Sequence, residues 1–456
     1  MKKLLIGIIC LLLVVAACVW FFHRDNDKAR DVLPADAAAV AVFEPAEFAE
    51  KCGLTLDDIK SVTAVLGGLE DAIDLKKPIY AFTTESGLTG FSLNLLDAEK
   101  LVKSLDSFGF VNEEQDGLKW IVKGKDGIAC LDEDKVLVCN VASTADVNDV
   151  RSEMVKLMKQ SRQDVKALDN TNEQDGLLRF SAPLKLIDAV SPSINKSADL
   201  KGLDEAVLNT AFQVESKALK LKAKLDTPKD LELPLAPIKG TLAGIGPAEP
   251  FLWLCVNMKG EQLLPYLREV SDLRSALLAL NMSVDADMMI KAIDGDVTLS
   301  VPKLDLQHPD FILTATLSNT EFLKNADDWK GIKKRGSSDF LLDDAGIYFG
   351  VQDGKLYIAS SERMASNAFQ EAPKDAFQSA AKGKYLSASI NVEQLIQAYP
   401  GIAILLQTVP QIRELTQSLE RISLTADTQQ SLELSLETKK PVKDLISNLW
   451  TLLTGK

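Results

Sequence analysis

The chain has 456 residues, 46% of them apolar and 25% charged, the balance of a globular protein long enough to bury two ordinary cores. Its 51 Lys and Arg stand against 65 Asp and Glu; the net charge of −14 becomes −17 once residues 1–24 are set aside with Lys2, Lys3 and Arg24 and no acid. So acidic a body repels nucleic acid, and only two histidines, His23 and His308, are present, too few for a His-based zinc site and leaving His308 alone as a base for a nucleophile.

At the N-terminus, Lys2 and Lys3 precede 19 uncharged residues, Leu4–Phe22, enough to cross a bilayer core as a helix. Trp20, Phe21, Phe22 and Arg24 read as an interfacial belt, and the leading lysines favour a cytoplasmic start with the body on the periplasmic side. Val15-Ala16-Ala17-Cys18 also resembles a bacterial lipobox, which would make Cys18 a lipidation site. The length of the run and the apolar Val19–Phe22 after the cysteine favour a retained helix. On either reading the body lies outside a cell membrane.

Residues 25–33 read as a polar tether, followed by an apolar strand at 38–43 and helices over PAEFAEKCG and LTLDDIKSVTAVLGGLEDAI. PIYAFTT and LTGFSLNLL are strands, and Asp97 caps a helix over DAEKLVKSL. LKWIVKG, GIACL and KVLVCNVA form an antiparallel meander. With the turn at Glu133-Asp134, Cys130 faces Leu137 and Cys139 faces Ile128, so the two thiols are diagonal and poorly placed for a disulfide. A helix over 146–163, a polar loop DNTNEQDG at 169–176, a strand LLRFSAP and a helix at PLKLIDAV come next. AVLNTAFQVES and ALKLKAKLD alternate at period two, as a closing hairpin does.

The same parts then return in the same order. KYLSASINVEQLIQAYP at 384–400 restates GLLRFSAPLKLIDAVSP at 176–192, and GIYFGVQDGKLYIAS at 346–360 restates GIACLDEDKVLVCNVAS at 127–143. FLWLCVN, GDVTLSVP, DFILTATLSN and the final pair RISLTADT and SLELSLET complete a second copy, with Asp134 and Asp353 at matching hairpin tips. The expected organisation is an anchor at 1–24, a tether at 25–33, a first repeat at 34–232, a Pro/Gly linker at 233–250 and a second repeat at 251–456. Short strands with intervening helices argue an α+β fold: two tandem repeats of largely antiparallel sheet with flanking helices, behind one N-terminal membrane helix. In VKDLISNLWTLL, Val442, Leu445, Ile446, Leu449, Trp450 and Leu453 share one face, a helix that packs on the second repeat.

Chemistry is sparse. Cys52, Cys130, Cys139 and Cys255 read as small buried hydrophobes, and no CxxC is present. The paired carboxylates Asp285/Asp287 and Asp294/Asp296 are the best catalytic candidates. Asp285 and Asp287 point apart on a helix, and Asp294-Gly295-Asp296 reads as a turn feeding the strand VTLSV. Neither the phosphate-binding GxxxxGK[ST] nor the nucleophile elbow GxSxG occurs. The sequence therefore gives no catalytic, cofactor-binding or metal residues.

LPADAAAVAVFEPAEFAEKCGL at 33–54 and AIDGDVTLSV at 292–301 resemble an uncharacterised family of Bacteroidetes envelope proteins, a domain of unknown function. The resemblance implies a Gram-negative envelope location and typically a lipoprotein, and it implies no activity. The expected function is a non-enzymatic binding or interaction module, without cofactors, bound to the membrane through its N-terminal helix and to an envelope protein. The alternative is a carrier of a lipid or other apolar ligand. A hydrolase using Asp294 and Asp296 with a metal ranks last, its ligand set being incomplete.

Overall fold

A computed structural model describes residues 27–58, 71–106, 110–122, 128–140, 146–188, 205–227, 233–242, 249–303, 305, 310–370, 376–398 and 417–454. The apolar run at 4–22, Cys18, His23 and His308 lie outside the described residues. No helix among the described residues is long and apolar enough to cross a membrane. The chain divides into two compact units, residues 1–46 with 56–169 and residues 47–55 with 170–456.

The first unit holds seven antiparallel strands: β1 (Ala37–Phe43), β2 (Ile79–Thr84), β3 (Thr89–Asn94), β4 (Val111–Gln115), β5 (Leu118–Val122), β6 (Ile128–Leu131) and β7 (Lys135–Asn140). They are ordered β1-β2-β3-β7-β6-β5-β4. Both faces are covered, so alternate residues of one strand enter different cores. Leu137 and Cys139 join Trp120, Phe82 and Met154 on the side of the helix Val147–Lys159, and Val136 joins Leu93, Ile121 and Leu101 on the side of the helix Ala98–Asp106.

The stretch expected as a tether is folded from Asp27 onward. Helix α1 (Lys28–Asp31) is capped by Asp27, and Ala29, Val32 and Leu33 are fully or almost fully buried. Their i, i+3, i+4 spacing gives this short segment an apolar face, which joins the core around Trp120. The Asp27 carboxylate accepts from the Tyr80 hydroxyl and, at 2.8 Å, from Asn94 Nδ2. Burial and the adjacent Asp27 charge push the Tyr80 phenol well above its usual range.

The second unit adds β8 (Leu178–Pro183), β9 (Val207–Glu215), β10 (Ala218–Asp226), β11 (Leu235–Ala236), β12 (Leu252–Lys259), β13 (Ile293–Val301), β14 (Ile312–Leu317), β15 (Ile332–Lys334), β16 (Asp339–Leu342), β17 (Ile347–Gln352), β18 (Lys355–Ala359), β19 (Leu386–Asn391), β20 (Leu419–Ala426) and β21 (Ser431–Thr438). The run β12-β13-β14-β18-β17-β16-β15 has the order already met in β1–β7. From β12 the sheet continues through β19, β20, β21, β10 and β9 to β8, antiparallel throughout, and β11 lies beside the end of β12. Hairpins β9–β10 and β20–β21 therefore meet edge to edge, with Leu221 opposite Leu434.

Between β12 and β13 come three helices, α2 (Gly260–Glu269), α3 (Ser271–Asn281) and α4 (Ala286–Ala292). Met289 and Ala292 of α4 pack with Val256, Val297 and Ala315 of the sheet and with the ring cluster Trp329, Phe340 and Phe349, whose centroids lie 5.1–5.8 Å apart. Within the Pro/Gly stretch expected as a linker, Ile238 and Leu242 are buried, Ile238 against Trp253 and Cys255. The helix α5 (Val442–Thr454) buries Val442 and Leu445.

Candidate functional site

The carboxylates singled out by sequence are not gathered into a site. Asp294-Gly295-Asp296 is not a turn: all three residues belong to β13 and pair with Lys259, Met258 and Asn257 of β12. Gly295 takes φ +145° where the pairing with β14 shifts register, a conformation open to glycine. Asp294 faces solvent, and Asp296 is fully buried. Asp296 Oδ1 accepts from Lys239 N at 2.8 Å and Asn257 Nδ2 at 3.0 Å; Oδ2 accepts from Thr241 N and Thr241 Oγ1, both at 2.8 Å. Four protein donors saturate this carboxylate, so its work is to pin residues 238–242 onto the sheet. Asp285 caps α4 by accepting from Met288 N, and Asp287 pairs with Arg268 of α2. Among the described residues, no group of three His, Cys, Asp or Glu side chains is arranged to hold a metal ion.

Cys130 pairs with Leu137 and Cys139 with Ile128, the diagonal arrangement read from the sequence. Cys52, Cys130, Cys139 and Cys255 are free and buried. Burial pushes the Cys130, Cys139 and Cys255 thiols up to about 12, with help from the Asp132 charge at Cys130 and the Asp296 charge at Cys255. Such thiols are poor nucleophiles.

Among the described residues, two apolar surfaces stand out as exposed. The first is the helix pair α2–α3. Leu264 of α2 is buried, Arg268 reaches Asp287, and Asn281 Oδ1 accepts from Asp287 N at 3.2 Å, which fixes both helices to α4. No residue of α3 itself is buried. Leu273, Leu277 and Leu280 form one stripe at i, i+4, i+7, and Leu278 with Met282 just beyond the helix form another. Leu273, Leu278, Leu280 and Met282 are 42–80% exposed, and Leu277 is half-buried. The sequence reading passed over this segment, although RSALLALNM carries the signal: apolar residues on nearly every side of a short helix.

The second surface is one face of the sheet where the two hairpins meet. Leu178, Phe212, Leu221, Leu434 and Leu424 stand opposite one another in a single row across β8, β9, β10, β21 and β20. The other face of these strands is polar. It carries a cleft of about 380 Å³ bordered by Asn209, Gln213, Lys222, Lys224, Asp226 and Glu433. Its ions pair among themselves, Lys224 with Asp226 at 2.7 Å and Lys220 with Glu215 at 2.8 Å.

The chain matches a domain of unknown function, DUF4836, over residues 67–443. It belongs to that family. Of the two segments that carried the family resemblance, 292–301 lies within the match and 33–54 before it. No curated protein matches the DUF4836 chain. Among solved structures, crystal form IV of TP0453 is similar at 10% identity, covering 43% of this chain and 80% of that one with a TM-score of 0.31. Crystal form I of TP0453 is similar at 11% identity over 74% of this chain and 95% of that one, with a TM-score of 0.22. Likenesses at these scores carry no argument about function.

Proposed function

We propose that this DUF4836 chain is a non-enzymatic interaction module of a Gram-negative, Bacteroidetes-type cell envelope. It is held at the membrane by a helix over residues 4–22 with its body on the periplasmic side, and it docks an envelope protein through α2–α3. The observation that carries the docking is α3: eleven residues, no buried side chain, and leucines open to solvent on two stripes. A helix this short gains little from its own hydrogen bonds, and exposed apolar side chains gathered in one place mark an interaction surface.

The body is built as a duplication. Its support is the shared strand order of β1–β7 and β12–β18, added to the sequence matches, and the hairpins β9–β10 and β20–β21 that follow in each copy. The excursion α2–α3 then belongs to the second copy's β12–β13 connection, the place where a duplicated scaffold gains a new function by loop variation.

The test is a photo-crosslinking amino acid placed at Leu278 of the full chain in living host cells, with Glu99 on the helix Ala98–Asp106 as the control position. The expected result is one defined heterologous product from position 278 and none from 99, diminished by the added substitution Met282→Gln. Equal products from both positions, or none from 278, would overturn the docking role.

A further inference from the structure

We infer that the leucine row across the hairpin junction binds the hydrocarbon chain of a free long-chain fatty acid. The inference is independent of α2–α3 and rests on the face defined by register: Leu178–Phe212–Leu221–Leu434–Leu424 across five strands, with Leu432 one two-residue step along β21. Side chains on this face are aliphatic or aromatic at every one of these positions. Leu178, Leu221, Leu432 and Leu434 are 41–46% exposed, and Phe212 and Leu424 are half-buried. Thr210, two residues from Phe212, shares this face, and Lys220, Lys222, Lys224 and Glu433 point to the opposite one.

Two physical arguments select the occupant. First, β9, β10, β21 and β20 each have a paired neighbour on both sides, so their backbone hydrogen-bonding groups are already engaged. An extended peptide laid on this face would lose water from its own amides and gain no partner; a hydrocarbon has nothing to lose. Second, the area is small. Four inter-strand gaps of about 4.8 Å and the one step of about 6.7 Å to Leu432 give a footprint of about 130 Å². A stable protein interface needs about 800 Å² per partner. One acyl chain fits that footprint; a protein surface does not, and a two-chain lipid would leave its second chain in water.

The experiment uses the full chain in membrane vesicles of its own host and palmitate carrying a photoreactive diazirine, with labelled residues mapped by mass spectrometry after digestion. Labels are expected on the Phe212, Leu221 and Leu434 segments, suppressed about tenfold by excess unlabelled palmitate. The double substitution Leu221→Gln/Leu434→Gln should abolish labelling of the row, and Leu278→Gln on α3 should leave it unchanged. Labels scattered along the chain, or labelling indifferent to unlabelled palmitate, overturn the inference. A diazirine-bearing phosphatidylglycerol that labels the row where palmitate does not also overturns it, in favour of a two-chain lipid. Circular dichroism of the double variant checks its fold; if that variant does not fold, the competition on the unsubstituted chain decides.

Discussion

Cys139 and Asp296 show how single residues in this protein are committed to holding the fold. Asp296 spends both oxygens on four donors and fixes the chain ahead of β12. The corresponding role ahead of β1 falls to Asp27, but with the polarity reversed: there the carboxylate sits on the incoming segment, and the donors Tyr80 and Asn94 sit on the sheet. The thiols act through what burial denies them. Burial holds Cys130, Cys139 and Cys255 up to about 12, whereas an unfolded chain ionises its thiols near pH 8.5. Above that pH the unfolded state binds fewer protons than the folded one, so stability is complete below about pH 8.5 and falls as pH rises toward 12, by about 1.4 kcal/mol per pH unit for each thiol. Urea unfolding at pH 7 and pH 10 should therefore show a loss on the order of 1–2 kcal/mol smaller in Cys139→Ala than in the unsubstituted chain, since all other titrations are common to both. Equal losses would mean that the Cys139 thiolate is accommodated in the fold.

At the scale of elements, local pairing was legible and distant pairing was not. Period-two alternation and a known tip were enough to place Cys130 against Leu137 and Cys139 against Ile128. The same alternation gave hairpins β9–β10 and β20–β21, but nothing in ALKLKAKLD or SLELSLET says that Lys220 will pair with Ser435. The shared apolar face, and with it the leucine row, exists only once those hairpins meet. Asp294-Gly295-Asp296 misled because Gly between acids is a turn signal; here the glycine serves a register shift inside a strand. The helix Lys166–Asn172 was hidden in a stretch whose DNTN composition favours a loop, although Leu168 and Thr171 are buried. At the β12–α2 junction the demand for glycine is steric. A Cβ at Gly260 would lie 1.7 Å from Ile290 O and 2.7 Å from Ile290 C, backbone atoms of α4 that cannot swing aside. Gly260→Ala should cost about 3 kcal/mol or more in thermal or urea unfolding. Gly117→Ala, where a Cβ meets nothing within 4 Å and only φ +74° is unfavourable, should cost about 1–2 kcal/mol. A Gly260→Ala protein as stable as Gly117→Ala would show that α4 is free to move away from β12.

For the whole molecule, the decisive quantity is the length of chain between the proposed membrane helix and the folded body. Nineteen uncharged residues rise about 28 Å as a helix, against a hydrocarbon core of about 30 Å. Asp27 is already built into the first unit through Tyr80 and Asn94. Four residues, 23–26, therefore join Phe22 to the fold, and the five steps from Phe22 to Asp27 reach at most about 18 Å fully extended. A retained helix thus keeps the body against the outer leaflet of the membrane it crosses. Lipidation at Cys18 would instead leave Val19–Phe22 as an apolar stub on an otherwise acidic surface. The retained-helix proposal predicts that protein extracted from its host's envelope has the intact mass of the chain from Met1, and that Cys18→Ala leaves it in the membrane fraction. It predicts as well that the chain, its body proposed on the periplasmic side, resists protease at residues 23–26 until detergent separates it from the bilayer. An intact mass lacking residues 1–17 and increased by acyl groups would replace the helix with a lipid anchor. The proposed docking role of α3 and the proposed acyl site on the leucine row would then have to be read on a surface held by a lipid anchor alone.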